Sequence, residues 1–161
     1  SDVYKRQLPG FIGDISYAQS NRERYEGFCQ ALTDAGKKVD SSLCLTTPLG
    51  IDTYREEIDT FLSSLSRMPD AFVCASDYVA CILMQLLEKR GLRVPEDVAV
   101  SGFDNNTEDL LAEHLTTVQV FNEELGARLA LQILYRIKYP NTPHEVTYLG
   151  TNVLYRDSTG D

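Results

Sequence analysis

One acidic side chain stands where a ligand could reach it. Asp104 follows the apolar, β-prone run Val98–Val100 and lies in an abrupt polar turn, Gly102–Asn106. In a parallel α/β sheet, ligands bind in the crevice at the carboxyl ends of the strands, so this pattern places Asp104 at a ligand-binding rim. An ionised carboxylate can only accept hydrogen bonds, which suits a ligand rich in hydroxyl or N–H groups. The alternative is a turn former, because Asp and Asn often serve that purpose after Gly.

The sequence offers no pattern typical of catalysis or metal binding. The two histidines, His114 and His144, lie in unrelated segments without acidic or cysteine partners at ligand spacing, and both are expected to be exposed. No nucleophile elbow, phosphate-binding glycine loop or Cys/His pair is present. The four cysteines, which form no C-x-x-C pair, are expected to be reduced core thiols. We therefore expect no catalytic residues, no metal and no cofactor: a protein that is not an enzyme.

The composition and net charge of the chain indicate which kinds of partner it can bind. The 161 residues suffice for one domain with a real core, and 43% of them are hydrophobic. A net charge of -9 argues against direct nucleic-acid binding, which requires clustered Lys and Arg. No apolar run is long enough to span a membrane and no signal-peptide pattern is seen, so a cytoplasmic location is the default expectation.

Strand and helix patterns alternate through the first two thirds of the chain. Strands are predicted to end near Asp14 and to span 39–46, 71–75 and 98–100, with helices between them. Predicted helix starts are a capping box at Ser20–Glu23, a cap at Asp52, and a cap at Ser76 or Asp77; Gly36 is predicted to end the first helix. Short loops between such units predict an α/β fold with a doubly wound, parallel, right-handed sheet.

The regular alternation of predicted strands and helices stops after Asp104. A short helix is predicted near 107–112, a strand at 115–118, a long helix at 122–138, a closing strand or strand pair within 146–155, and a polar tail at 157–161. The 122–138 helix is apolar over a wide arc, so it is expected to be buried on more than one side.

The first seven residues do not match the rest. Ser1–Gln7, SDVYKRQ, contains a run that looks like a translated sequencing adapter, so we expect residues 1–7 to be a non-native leader. The alternative is an ordinary polar terminus.

Several segments, in order, closely resemble the effector-binding domain of the lactose-repressor (LacI/GalR) family of bacterial transcription regulators. The resemblance covers residues 8–160, and the ordered set rather than any one segment carries it: GFIGD (10–14), SNRERYEGF (20–28), PDAFVCASDYVA (69–80), GLRVPEDVAVSGFDN (91–105), LTTVQV (115–120), EELG (123–126) and LYRDSTG (154–160).

The resemblance implies a periplasmic-binding-protein-like fold of type I, with two α/β subdomains hinged around a small ligand. Residues 8–161 would be one subdomain plus a crossover helix. The DNA-binding head and most of the first subdomain would be missing, and the 122–138 helix would belong to that missing subdomain. Its native packing partners would then be absent, so an exposed apolar face is expected.

The resemblance also implies site residues. Arg24, three residues before the Gly27-Phe28 pair, matches the family's ligand-contacting arginine, and its rigid fork suits adjacent hydroxyls. Asp104 matches the family's effector-binding aspartate. An ordinary surface ion pair of Arg24 with Glu23 or Asp14 is the alternative. Weaker ligand-binding candidates are Ser76 and Asp77, which stand where the family often has Asn-Asp, and Ser20 and Asn122; helix capping is an equally good role for Ser76 or Asp77.

The implied function is the sensor of a transcriptional repressor. The expected ligand is a carbohydrate, with a purine as the alternative, and DNA would be bound only through a helix-turn-helix outside this chain. The full-length protein would be a homodimer. The main rival is a periplasmic sugar-binding protein of a transport system, and a small enzyme on a flavodoxin-like sheet is a third class.

Overall fold

A parallel sheet forms the centre of the molecule, as the sequence predicted. The computed structural model describes residues 8–106 and 110–160. Four parallel strands lie in the order β2-β1-β3-β4. They are β1 (Pro9–Ile12), β2 (Cys44–Leu45), β3 (Ala71–Cys74) and β4 (Ala99–Ser101). Consecutive strands joined by helices in this order make the sheet doubly wound, with strand order reversing at β1 and β3.

Helices cover both faces of the sheet. Helix α1 (Gln19–Asp34) packs Phe28 and Leu32 against Phe11, whereas α2 (Tyr54–Ser64) and α3 (Asp77–Lys89) cover the opposite face around Phe72. The split follows from strand geometry, because successive residues such as Phe11 and Ile12 point to opposite faces. Both faces are therefore buried, which explains why the strands read as short continuous apolar runs.

The remainder of the chain extends the sheet at its β4 edge. Strand β5 (Thr117–Gln119) pairs antiparallel with β6 (Asn152–Leu154), and Gln119 bridges in parallel to Asp104. A 3-10 turn (Leu110–His114) precedes β5. The loop that holds Asp104 is thus attached to β5 directly.

Helix α4 (Asn122–Lys138) has the bounds that the sequence predicted, but not the burial. None of its residues, all of which lie in the described part of the chain, is buried. Leu129 is 60% exposed, Leu134 64% and Ile137 72%. The expected exposed apolar face is confirmed, and the membership of α4 in another subdomain stays a prediction.

Three local predictions were wrong at element ends. The capping box at Ser20 does not form: α1 begins at Gln19 after Ala18, which contributes no side-chain cap. Helix α2 begins after Thr53 rather than Asp52. The second strand is confined to Cys44–Leu45, because Ser41–Leu43 forms a 3-10 turn whose Ser42 N donates to the Asp40 carboxylate at 3.0 Å.

The tail predicted at 157–161 is polar, but it is not wholly exposed to solvent: of the described residues 157–160, Ser158 is buried. Residues Asp157–Thr159 form a 3-10 turn, and Ser158 is 2% exposed. Its hydroxyl donates to the Val100 carbonyl at 2.6 Å and accepts from the Thr116 amide at 2.8 Å. A small polar side chain whose hydrogen bonds are all made can be buried, which composition alone does not reveal.

Two predicted helix ends are confirmed. Ser76 is the α3 N-cap, accepting from the Val79 amide at 3.3 Å. Gly36 follows the end of α1 with φ +69°, a conformation that favours Gly. No helix within 8–106 and 110–160 could cross a membrane. The proposed leader, residues 1–7, and part of the short helix predicted near 107–112 lie outside the described residues.

Candidate functional site

Arg24 and Asp104 meet at the carboxyl edge of the sheet. Arg24 lies in the second turn of α1 and Asp104 follows β4, 80 positions later, yet Nη2 of Arg24 lies 3.5 Å from Oδ1 of Asp104. The Arg24 side chain is 21% exposed and that of Asp104 is 43% exposed, so the pair borders solvent. The sheet thus brings together the two residues on which the sequence-based site depended.

The Arg24 guanidinium is held from several directions. Nη1 donates to the Ala75 carbonyl at 2.5 Å and to Asn21 Oδ1 at 3.3 Å, and the guanidinium carbon lies 3.7 Å from the centre of the Phe103 ring. Burial lowers the pKa of Arg24 and the neighbouring carboxylates oppose that shift; an Arg remains charged throughout. The fork is therefore fixed before any ligand arrives, which reduces the entropy lost on binding.

Both partners keep hydrogen-bonding capacity. Arg24 has five N–H groups, and its contacts with Ala75, Asn21 and Asp104 use three of them. Among the described residues no donor is placed on Oδ2 of Asp104. A ligand could thus receive hydrogen bonds from Arg24 and donate to Asp104 at the same time.

The backbone at Asp104 is strained. Asp104 has φ +113° and the next residue, Asn105, has φ +54°. Non-glycine residues rarely adopt such values, and where they occur at a solvent-facing site the strain often accompanies function. Burial raises the pKa of Asp104, and Arg24 counteracts that shift.

Asp77, a weaker ligand-binding candidate, is turned inward. It is 2% exposed; Oδ1 accepts from the Thr117 hydroxyl at 2.6 Å and Oδ2 from the Asn106 amide at 2.8 Å. Burial raises the pKa of Asp77, and these hydrogen bonds oppose the rise. Its ligand role stays a prediction, and the contacts that it makes here hold the loop after β4.

The other weak candidates are less closely tied to the pair. Ser76 caps α3, while Ser20 and Asn122 are both exposed, the first in α1 and the second at the start of α4. No described contact joins these three side chains to Arg24 or Asp104. Their ligand roles remain predictions.

Asp14 also lies at the carboxyl edge of the sheet, just after β1, although no sequence motif marked it as a site residue. Although it is 6% exposed, Oδ1 accepts from the Ser16 amide at 2.8 Å, and Oδ2 accepts from the Leu49 amide at 3.2 Å. Nδ2 of the Asn21 side chain donates to the Asp14 backbone carbonyl at 2.9 Å, so Asp14 connects the loops after β1 and β2 to the Arg24 contacts. An Asp right after a strand was the available signal.

Substituting Asp14 should weaken folding in a pH-dependent way. Burial alone would raise the pKa of Asp14, but the hydrogen bonds from Ser16, Leu49 and Tyr17 outweigh it, so the pKa of Asp14 is lowered from its ordinary value of 3.8. The ionised group therefore stabilises the fold above that pH, and the contribution is lost as pH falls through the lowered value. Asp14→Asn should cost about 2 kcal/mol near neutral pH, with the difference from wild type shrinking below about pH 4.

Urea denaturation at several pH values measures this difference. Asp52→Asn, at an exposed position, is the matched control and should stay within about 0.5 kcal/mol of wild type. An Asp14→Asn deficit that stayed constant down to the acid transition would contradict the role assigned to the charge.

The two histidines and the four cysteines were the other candidates for chemistry. Within the described residues no group of three or more His, Cys, Asp or Glu could hold a metal. His114 and His144 are exposed, as expected, and His114 Nδ1 pairs with Asp157 at 2.8 Å. All four cysteines are free; Cys74 and Cys81 are buried, whereas Cys29 and Cys44 are only partly so.

Comparison with known proteins decides the family. A model of the periplasmic binding protein-like domain matches residues 8–159. The chain belongs to this family. The DegA transcriptional regulator of Bacillus subtilis is 35% identical over 117 residues, covering 72% of the chain and 34% of DegA. The CelR regulator of Thermobifida fusca is 34% identical over 142 residues, covering 84% of the chain and 40% of CelR.

Solved structures agree. The structure of a CelR–cellobiose complex has a TM-score of 0.85 and 28% identity, covering 96% of the chain and 47% of that protein. The named relatives are transcription regulators rather than enzymes or transport receptors, which confirms the resemblance to LacI-type effector domains. The chain spans less than half the length of these curated relatives.

Proposed function

We propose that this chain is the sensor part of a LacI-type bacterial transcription regulator and that it binds a sugar-like effector at Arg24 and Asp104. The supporting observation is the 3.5 Å approach of these two groups at the ends of separate strand-helix units. They combine a fixed double donor with an acceptor-only group. Adjacent sugar hydroxyls, each able to accept and donate, complement such a pair.

The loop that holds Asp104 provides a route for signalling. The Asp104 backbone amide donates to the Val118 carbonyl of β5 at 3.0 Å, and β5 leads into α4. A ligand that displaces the Asp104 carboxylate would therefore also displace β5. In the full regulator, closure of two lobes around the effector would shift the relation between dimer-mates and hence between their DNA-binding heads. The effector must prefer one of the two states for this to occur.

Other partners follow from this proposal. The charge of -9 disfavours DNA contact by this part, so a helix-turn-helix elsewhere in the protein would supply it. A regulator of this type would act in the cytoplasm as a homodimer. A purine base, which also carries N–H donors and acceptors, is the alternative effector. A periplasmic sugar receptor is less well supported, because the named relatives are regulators.

Nuclear magnetic resonance titration tests the proposal. Cellobiose, glucose, ribose and guanine are added separately to the 15N-labelled chain, with amide and guanidinium signals followed. Because Arg24 and Asp104 form only one wall of a two-lobed groove, we expect weak, saturable binding by at least one sugar, with shifts centred on the two residues. Absence of shifts there with every compound would refute the proposal, and shifts with guanine alone would transfer it to a purine.

A further inference from the structure

Arg156 contacts the turn that carries Asp104. It lies on the segment after β6 and is half-buried. Its Nη2 donates to Asn105 Oδ1 at 2.8 Å, and its Nη1 donates to the Ala112 and Leu115 carbonyls, each at 3.0 Å. One guanidinium thus joins the turn after β4, the 3-10 turn before β5 and the segment after β6.

The turn needs such support because its backbone is strained. Two successive non-glycine residues with positive φ, Asp104 and Asn105, keep that conformation only where surrounding contacts impose it. Hydrogen bonds to β5 supply part of the restraint: the Asp104 backbone amide donates to the Val118 carbonyl at 3.0 Å, and the Asn105 backbone amide donates to the Thr117 side-chain hydroxyl at 3.3 Å. Arg156 holds the Asn105 side chain, the part of the turn that β5 does not hold.

The hydrogen bond between Arg156 and Asn105 is of a strong type. A guanidinium N–H donating to an amide oxygen at 2.8 Å is a charge-assisted hydrogen bond, and both residues are shielded in part from solvent. Because Asn105 directly follows Asp104, rotation of the Asn105 peptide would turn the Asp104 carboxylate away from Arg24.

We propose that Arg156 is a positioning residue of the effector site: through Asn105 it fixes the turn in which Asp104 faces Arg24. This inference rests on the proposed function, since it gives the residue a part in ligand binding. Arg156 also holds two carbonyls before β5, which is a separate structural role. The two roles can be separated by changing Asn105 and leaving Arg156 in place.

The test uses two variants of Asn105 in the 161-residue chain. Asn105→Gly removes the side-chain acceptor while Gly adopts positive φ readily, so the fold should be retained. Asn105→Asp keeps the acceptor and pairs it with Arg156. Cellobiose titration should give a Kd about five- to tenfold higher for Asn105→Gly and within about twofold of wild type for Asn105→Asp, because only the first loses the positioning bond.

Arg156→Ala supplies the coupling measurement. As a single substitution, Arg156→Ala should weaken cellobiose binding. In the Asn105→Gly background it should cause little further loss of affinity if Arg156 acts through Asn105. A full, additive loss in that background would overturn the proposal. So would an Asn105→Gly variant that binds cellobiose as wild type does, and in that case the proposed function would stand.

A second measurement does not need ligand. The Asp104 carboxyl carbon is titrated by 13C resonance in wild type and Asn105→Gly. Burial holds the pKa of Asp104 above 3.8, so release of the turn should return it toward that value. If wild type bound no cellobiose, glucose and ribose would still test the proposed function, and this titration alone would decide the positioning role: an unchanged pKa of Asp104 would overturn it.

Discussion

Arg24→Ala is expected to abolish sugar binding while leaving the chain folded. The substitution removes the double donor and the cation over Phe103, and leaves the Asp104 carboxylate without its charge partner. Hydrogen bonds to charged groups contribute about 1.5–3 kcal/mol each, so losing two of them to a ligand weakens binding by at least 100-fold. The ligand titration described above would then show no saturable shift.

Asp104→Asn should have a smaller effect on the same titration. The amide keeps the shape and one acceptor oxygen, but it loses the charge that pairs with Arg24, so a loss of about tenfold is expected. Because Asp104 is 43% exposed, the free energy of unfolding should change by less than about 1 kcal/mol.

Arg22→Ala on the same helix is the matched control. Arg22 is exposed and two positions away, so it carries the same charge without facing Asp104. It should leave ligand affinity within about twofold of wild type. Equal losses for Arg22→Ala and Arg24→Ala would show that net charge, and not the geometry at the strand ends, governs binding.

The pairing of Arg24 with Asp104 shows where sequence reasoning worked. The alternation of apolar runs with helical spacing was enough to predict the parallel sheet, because both faces of the sheet are buried and each unit ends in Gly or Pro. Proximity of two residues 80 positions apart came from the family resemblance, since no local pattern reports which strands become neighbours.

The support around the pair could not be predicted. Arg24 donates to the Ala75 carbonyl, and any residue at 75 would offer the same acceptor, so the sequence carries no trace of this bond. Phe103, whose ring lies against the Arg24 guanidinium, was predicted only to be part of a turn. Ser158 was predicted to lie in a polar tail, although its hydroxyl forms hydrogen bonds with both Val100 and Thr116. Such roles depend on tertiary neighbours and not on residue type.

Gly102→Ala is expected to give the largest loss of stability. A methyl group at position 102 would lie 2.2 Å from Asp77 Oδ1, 2.9 Å from Leu115 Cδ2 and 3.1 Å from Asp77 Cα. The Asp77 carboxylate cannot move aside without breaking its bonds to Thr117 and Asn106, and Asp77 Cα belongs to α3. We expect the free energy of unfolding to fall by about 3 kcal/mol, measured by urea denaturation.

Gly27→Ala is the control for this substitution. Nothing lies within 4 Å of a methyl group built at Gly27, which is inside α1, so the same change there should stabilise the protein by about 0.5–1 kcal/mol. If the free energy of unfolding falls for Gly102→Ala and rises for Gly27→Ala, the loss of stability comes from the contact between the loop after β4 and α3. Because Asp77 supplies the nearest atom, Asp77→Ala combined with Gly102→Ala should cost less than the sum of the single changes. Strict additivity would mean that the loss in Gly102→Ala does not come from the contact with Asp77.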